Sequence, residues 1–182
     1  MIVNIQALIL SMFFMSSWLN APNVGLSSND KEMAGIDRVY ILESINKLRT
    51  SGCRCGGEYY PPVSALTWNE TLYKSAFRHA KSMYEDDYFS HISPDGKDVG
   101  DRLDLLGYKW QYAGENLAEG QKNYDEAMHD WIASPTHCKM MMNANMKEVG
   151  VAKYNKYWVQ HFGTQMPPKT KRISRTYTEG RD

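Results

Sequence analysis

The stretch EVGVAKYNKYWVQHFG, residues 148–163, decides the fold. Its first half alternates around Val149 and Val151 with the small Gly150 and Ala152 between them. After the polar pair Asn155 and Lys156, a second β-rich run starts at Tyr157. Two such runs joined by a two-residue turn predict an antiparallel hairpin, although the turn lacks the Gly that such loops favour. The residues upstream follow a helical period instead. Helices first and paired strands last make the chain α+β.

Residues 36–49 set Ile41, Ile45 and Leu48 on one helical face, with Gly52 placed to end the helix in a left-handed cap. Residues 52–64 hold Cys53, Cys55, Gly56, Gly57, Pro61 and Pro62, so many breakers that a loop in need of a staple is predicted. Asn69 is the N-cap of a second helix, with Trp68 and Tyr73 as a hydrophobic staple and Leu72, Ala76, Ala80 and Met83 as its buried stripe. Glu85, Asp86 and Asp87 are unfavourable at a helix C-terminus and end it. After a loop at 89–97, Asp98 caps a short third helix with Asp101 at its third position. Val99, Leu103 and Leu106 face inward there, and Gly107 closes it. Residues 108–113 have the aromatic content of a short strand. Asn123 with Glu126 is a capping-box signature for a fourth helix, which Pro135 ends. Ser134 as N-cap and Pro135 as first residue begin another short helix reaching about Asn143, with His137 in its first turn.

A chain of 182 residues suits one domain plus extensions. Residues 5–19 are mostly apolar, and no charged side chain precedes Asp30. That length fits a signal-peptide core better than a spanning helix; a membrane anchor and a buried helix are the alternatives. The expected organisation is therefore a signal peptide at 1–21, a linker at 22–34, one domain at 35–165 and a basic, disordered tail at 166–182. Lysine plus arginine and aspartate plus glutamate balance at 21 each, so no overall field steers the molecule toward nucleic acid. Cys53, Cys55 and Cys138 are an odd number, which in an exported protein means one bridge and a leftover thiol, or an intermolecular bridge. A ring closed between Cys53 and Cys55 is strained, so Cys138 is expected to pair with Cys53 or Cys55, with Cys55 favoured by the freedom of Gly56 and Gly57. A zinc site is the rival, and it needs more ligands than this pair supplies.

The order of these pieces resembles the CAP superfamily of cysteine-rich secretory, antigen 5 and pathogenesis-related-1 proteins, in its compact bacterial form, across 36–163. The resemblance lies in a series of motifs: Asn46-Lys-Leu-Arg49; Leu66-Thr-Trp-Asn69; Phe89-Ser-His91-x-Ser-Pro-Asp-Gly96; Gly114-Glu115-Asn116-Leu117-Ala118; Trp131-Ile-Ala-Ser134-Pro135-Thr-His137; and Trp158-Val-Gln160-His-Phe162-Gly163. It implies an α-β-α sandwich with a small antiparallel sheet between helical layers. It also implies a cleft holding His91 and His137 with Glu115 as acid, and Asn116, Ser134 and Gln160 as further cleft residues. Two departures stand out. Ile45 occupies the place of a first-helix histidine common in eukaryotic members, and Ser134 that of their second cleft glutamate.

His91 in a turn and His137 in a helix's first turn sit off any apolar stripe, and the helix dipole favours the neutral, metal-binding form of His137. Together with Glu115 they form a candidate site for zinc or another divalent cation, Glu115 being either a third ligand or the acceptor that fixes a histidine tautomer. His79 at the border of the second helix's core stripe, His129 facing solvent and His161 alternating along the last strand receive no chemistry. Gly-x-Ser-x-Gly, His-Glu-x-x-His and phosphate-loop motifs are absent. Ser93, Ser134 and Cys138 remain as conceivable nucleophiles. The leading expectation is an exported, non-catalytic binding module for a lipid, peptide or cell-surface glycan. The rivals are a metal-dependent hydrolase using His91, His137 and Glu115, and a structural surface protein.

Overall fold

The computed structural model describes residues 37–167; the expected signal peptide, the linker and all but the start of the tail lie outside them. Among the described residues there are five helices: α1 Arg38–Ser51, α2 Glu70–Glu85, α3 Val99–Leu105, α4 Tyr124–Ala133 and α5 Pro135–Met141. Six strands accompany them: β1 Cys53–Cys55, β2 Glu58–Tyr60, β3 Thr67–Trp68, β4 Trp110–Glu119, β5 Glu148–Tyr154 and β6 Tyr157–Gln165.

The helix boundaries follow from local chemistry. Asp37 accepts from the Tyr40 amide to start α1, and Gly52 ends it at a φ of 71°. Asn69 accepts from the amides of Thr71 and Leu72 to start α2, while the Trp68 and Tyr73 rings meet beside the cap at a tilt of 41° with centroids 5.7 Å apart. Asp98 and Asp101 form a reciprocal capping box at α3. Asn123 caps α4 through the Glu126 amide, and the Glu126 carboxylate reaches back to the Lys122 amide at 2.9 Å.

β5 and β6 form the expected hairpin, with Tyr154 opposite Tyr157 and Asn155 supplying the left-handed turn at a φ of 51°. β6 pairs on its other side with β4, antiparallel, and β5 pairs with the two-residue β3, in parallel. The sheet order is β3-β5-β6-β4, so one short edge strand is parallel in a sheet that is otherwise antiparallel. On one face Tyr73, Ala76, Phe77, Ala80 and Met83 of α2 pack on Leu117, Ala152, Tyr157 and Val159. On the other, Ile41 and Ile45 of α1 and Ala127 and Trp131 of α4 pack on Val149, Val151, Trp158 and Phe162. The α-β-α sandwich is thus built from the two sides of one sheet. Gly150 makes the α2 side possible, since a Cβ there would stand 2.1 Å from the Tyr73 backbone nitrogen.

Several boundaries differ from the sequence-based expectation. Residues 52–64 are not all loop, because β1 and β2 pair around Gly56 and Gly57, with Cys53 opposite Tyr60 and Cys55 opposite Glu58. The breakers there fall in the turn and beyond the strands, where they cost the ladder nothing. The strand expected at 108–113 runs instead through Glu115 and Asn116 to Glu119, since partners on both faces satisfy those buried polar groups. The helix from Pro135 stops at Met141, and Ser134 makes no side-chain capping bond; its hydroxyl lies 3.2 Å from that of Thr136. Val99 and Leu106 are only half-buried, whereas Leu103 is fully inside. The staple is a disulfide from Cys55 to Cys138, 83 residues apart, which ties the β1–β2 hairpin to α5. Cys53 is left as a half-buried thiol whose pKa burial raises.

Candidate functional site

Glu115 lies in the middle of β4, beyond the end expected for that strand at 108–113, and its side chain is 3% exposed. Because side chains alternate along a strand, Glu115 points to the α2 side of the sheet and Asn116 to the α4 side. Opposite Glu115 on β6 stands His161. Glu115 Oε2 accepts from His161 Nε2 at 2.7 Å and from Arg102 Nη2 at 2.7 Å, and Oε1 accepts from His91 Nδ1 at 2.6 Å. His79 Nε2 is 3.6 Å from the same carboxylate and 3.0 Å from the Ser90 carbonyl. Arg102, from α3, also donates to the carbonyls of His91 and Lys97 and to the Ser93 hydroxyl, which ties the 89–97 loop to the sheet.

Burial alone would raise the Glu115 pKa. The hydrogen bonds from His161 and His91 and the charges of His161 and His79 outweigh it, and the carboxyl is held well below its usual range. Glu115 is therefore an ionised acceptor with both oxygens engaged. Its bond from His91 raises that imidazole's pKa and leaves His91 Nε2 pointing away from it, on a side chain 59% exposed. Desolvation lowers His137, and the charge of His91 acts in the same direction, so the two rings are within electrostatic reach. His137 is half-buried and its ring has no hydrogen-bond partner among the described residues.

His91, His137 and Glu115 do not meet as three ligands. Among the described residues, the group whose ligand atoms all lie within 4.8 Å of one another is Cys53, Cys55 and Cys138, two of which are bonded to each other. Asn116 and Gln160 are fully buried; Asn116 Nδ2 donates to Gln160 Oε1 at 3.0 Å and to the His137 carbonyl at 3.1 Å. They hold α5 against the sheet beneath His137. His129 is exposed as expected. His79 and His161, to which the sequence assigned no chemistry, line the Glu115 pocket, as does Arg102. The signal for His161 was its alternation with Val159 toward the α2 face, which becomes informative only once the β4–β6 register is known. The three conceivable nucleophiles are each engaged: Ser93 with Arg102, Ser134 with Thr136, and Cys138 in the disulfide.

The comparisons with known proteins agree with this architecture. The model of the CAP cysteine-rich secretory protein family matches residues 42–162. An uncharacterized membrane protein of Bacillus subtilis, YlbC, is 33% identical over 100 residues, covering 55% of this chain and 29% of its own. The uncharacterized protein YkwD of the same species is 35% identical over 102 residues, 55% of this chain and 40% of its own. The chain thus spans well under half the length of these curated relatives. Among solved structures, an extracellular protein containing an SCP domain from Bacillus anthracis superposes with a TM-score of 0.64 at 27% identity, covering 77% of this chain and 44% of that one. An outer surface protein of Borrelia burgdorferi shares the fold with a TM-score of 0.60 at 18% identity, over 77% and 97%. With the matching sandwich and the family model spanning most of the described residues, the chain belongs to the CAP, or cysteine-rich secretory protein, family.

Proposed function

We propose that this chain is an exported, non-catalytic binding domain whose cleft takes a divalent cation at His91 and His137 and, beside it, a lipid, peptide or cell-surface glycan. The observation that carries the reading is the Glu115–His91 bond of 2.6 Å, which commits Nδ1 and leaves Nε2 outward as a ligand atom. His137, whose pKa desolvation lowers and whose ring has no hydrogen-bond partner among the described residues, supplies the second imidazole. This donor set fits zinc, a metal that imidazole suits, with open positions for ligand or water. Glu115 acts as the acceptor behind His91, since its oxygens already serve His91, His161 and Arg102. A bound cation supplies a Lewis-acid anchor for an anionic or carbonyl group. The engagement of Ser93, Ser134 and Cys138 favours binding over nucleophilic turnover. Export rests on the apolar segment at 5–19 and on the extracellular and surface relatives; among the described residues no helix is long and apolar enough to cross a membrane.

Calorimetric titration with zinc is the test. A saturable site in wild type, lost in His91→Ala and His137→Ala with the fold intact by circular dichroism, supports the reading. Affinity unchanged in both variants removes the site. Turnover on peptide, ester or glycan panels that disappears in His91→Ala and with chelator replaces it with the hydrolase. N-terminal sequencing of exported material that begins at Met1, recovered from membranes, replaces cleavage at 1–21 with a signal anchor.

A further inference from the structure

We propose that Cys53 is an exchange thiol, the relay through which a low-molecular-weight thiol in solution opens the sealed Cys55–Cys138 bridge. The bridge itself is closed to solvent, with Cys55 1% exposed and Cys138 at 0%. Cys53 is half-buried, and its Sγ lies 3.7 Å from Cys55 Sγ and 3.7 Å from Cys138 Sγ. The arrangement follows from strand parity: Cys53 and Cys55 flank Arg54 on β1, so their side chains share one face of the hairpin, the face that meets α5 at Cys138. Of the three cysteines, Cys53 is the half-buried one, and its sulfur lies beside both sulfurs of the bridge.

Exchange proceeds by attack of a thiolate along the S–S axis, and Cys53 stands level with both sulfurs, so its side chain first turns about χ1. Cys53, its proton lost to solvent, then attacks Cys138 Sγ. The Cys53–Cys138 bond forms, the Cys55–Cys138 bond breaks, and Cys55 leaves as a thiolate that takes up a proton. The bridge now has one sulfur near the surface. A small thiolate attacks Cys53 Sγ, forming a mixed disulfide there and releasing Cys138, which is protonated. A second small thiolate attacks the outer sulfur of the mixed disulfide, releasing the small disulfide and the Cys53 thiol. One protein disulfide and two small thiols become two protein thiols and one small disulfide. Run backward, the same steps close the bridge when a small disulfide is the oxidant.

The experiment is reduction of the folded, full-length chain by reduced glutathione, with acid quenching, alkylation and mass-spectrometric mapping over time. The bridge in wild type is expected to open at least about tenfold faster than in Cys53→Ser, and to pass through a species with Cys53 bonded to Cys138 and Cys55 alkylated. Cys55→Ser, oxidised by glutathione disulfide, is expected to form Cys53–Cys138. Near-UV circular dichroism verifies that the variants are folded, and rates in denaturant give the reactivity of the unshielded bridge. Wild type alkylated at Cys53 with its bridge intact provides a second arm should Cys53→Ser misfold, with the same slowing expected. Native rates that are equal, or faster without the Cys53 thiol, overturn the relay. Two free thiols persisting in Cys55→Ser overturn it as well.

Discussion

Glu115 and Arg49 show how this chain handles charge away from water, and they do it differently. Glu115 is paired, with Arg102 and two histidines on its oxygens. Arg49 is 0% exposed and, among the described residues, pairs with no carboxylate; it donates to the carbonyls of Ser64, Met141, Asn143 and Met146, and desolvation lowers its pKa to about 10. It joins α1 to the end of α5 and the start of β5. Arg49→Met is expected to lower stability by about 3 kcal/mol or more in urea unfolding, because several buried carbonyls lose their donor. His79 gives a pH-dependent counterpart. Desolvation lowers its pKa from 6.5 to about 4 against the raising effect of Glu115, with Arg102 and His161 also lowering it and Tyr88 beside its ring. Folding therefore favours the neutral ring. The stability this contributes is complete above pH 6.5 and is lost as pH falls toward 4, on the order of 3 kcal/mol at about 1.4 kcal/mol per pH unit. Urea midpoints measured against pH are expected to fall less steeply through that window in His79→Gln than in wild type; an identical slope in both contradicts the assignment. His161, which desolvation also lowers, keeps some slope in the variant.

At the scale of elements, the β1–β2 hairpin is held by its bridge to α5. Its cluster is small, Cys55, Cys138 and Met142 with a few half-buried neighbours. Cys138→Ser is expected to destabilise the fold by about 4 to 5 kcal/mol from chain entropy alone, read as a lower unfolding midpoint, with faster amide exchange in 53–60 first. The contact of β5 with α2 gives a complementary test. Gly150→Ala puts a methyl against the backbone of Leu72 and Tyr73, where no side chain can rotate away, and is expected to cost about 3 kcal/mol in the same assay. Elements set by local rules were legible beforehand: Asn69, Asp98 and Asn123 announce helix starts because a cap needs only its own first turn. The β1–β2 pair looks like a loop in sequence because its Gly and Pro residues dominate so short a stretch. The sequence pattern of β4 stops short at Ala113 because polar Glu115 and Asn116 break the apolar run, and only their partners make them compatible with burial.

For the whole molecule, the described sheet ends at Gln165, and the sequence from Pro168 onward is basic with almost no apolar residue to add to a core. A chain ending at residue 167 is accordingly expected to keep its thermal midpoint and its zinc titration; loss of either assigns the remaining residues a structural role. From the sequence alone came the α+β class, the order of helices and final hairpin, the family resemblance, and Cys55 as the favoured partner of Cys138. His91, His137 and Glu115 were singled out there too. Only the tertiary structure decided that Glu115 collects His91, His161 and Arg102, with His79 alongside, and that Asn116 and Gln160 are buried beneath His137. The reason is that these meetings depend on the β4–β6 register and on where α2 and α3 cross the sheet. Side chains alternate faces, so a slip of one residue in that register turns Glu115 from the histidines to the opposite core. Register of that kind is set by burial over separations of more than 40 residues, as for Glu115 and His161. Local propensity carries no information about it.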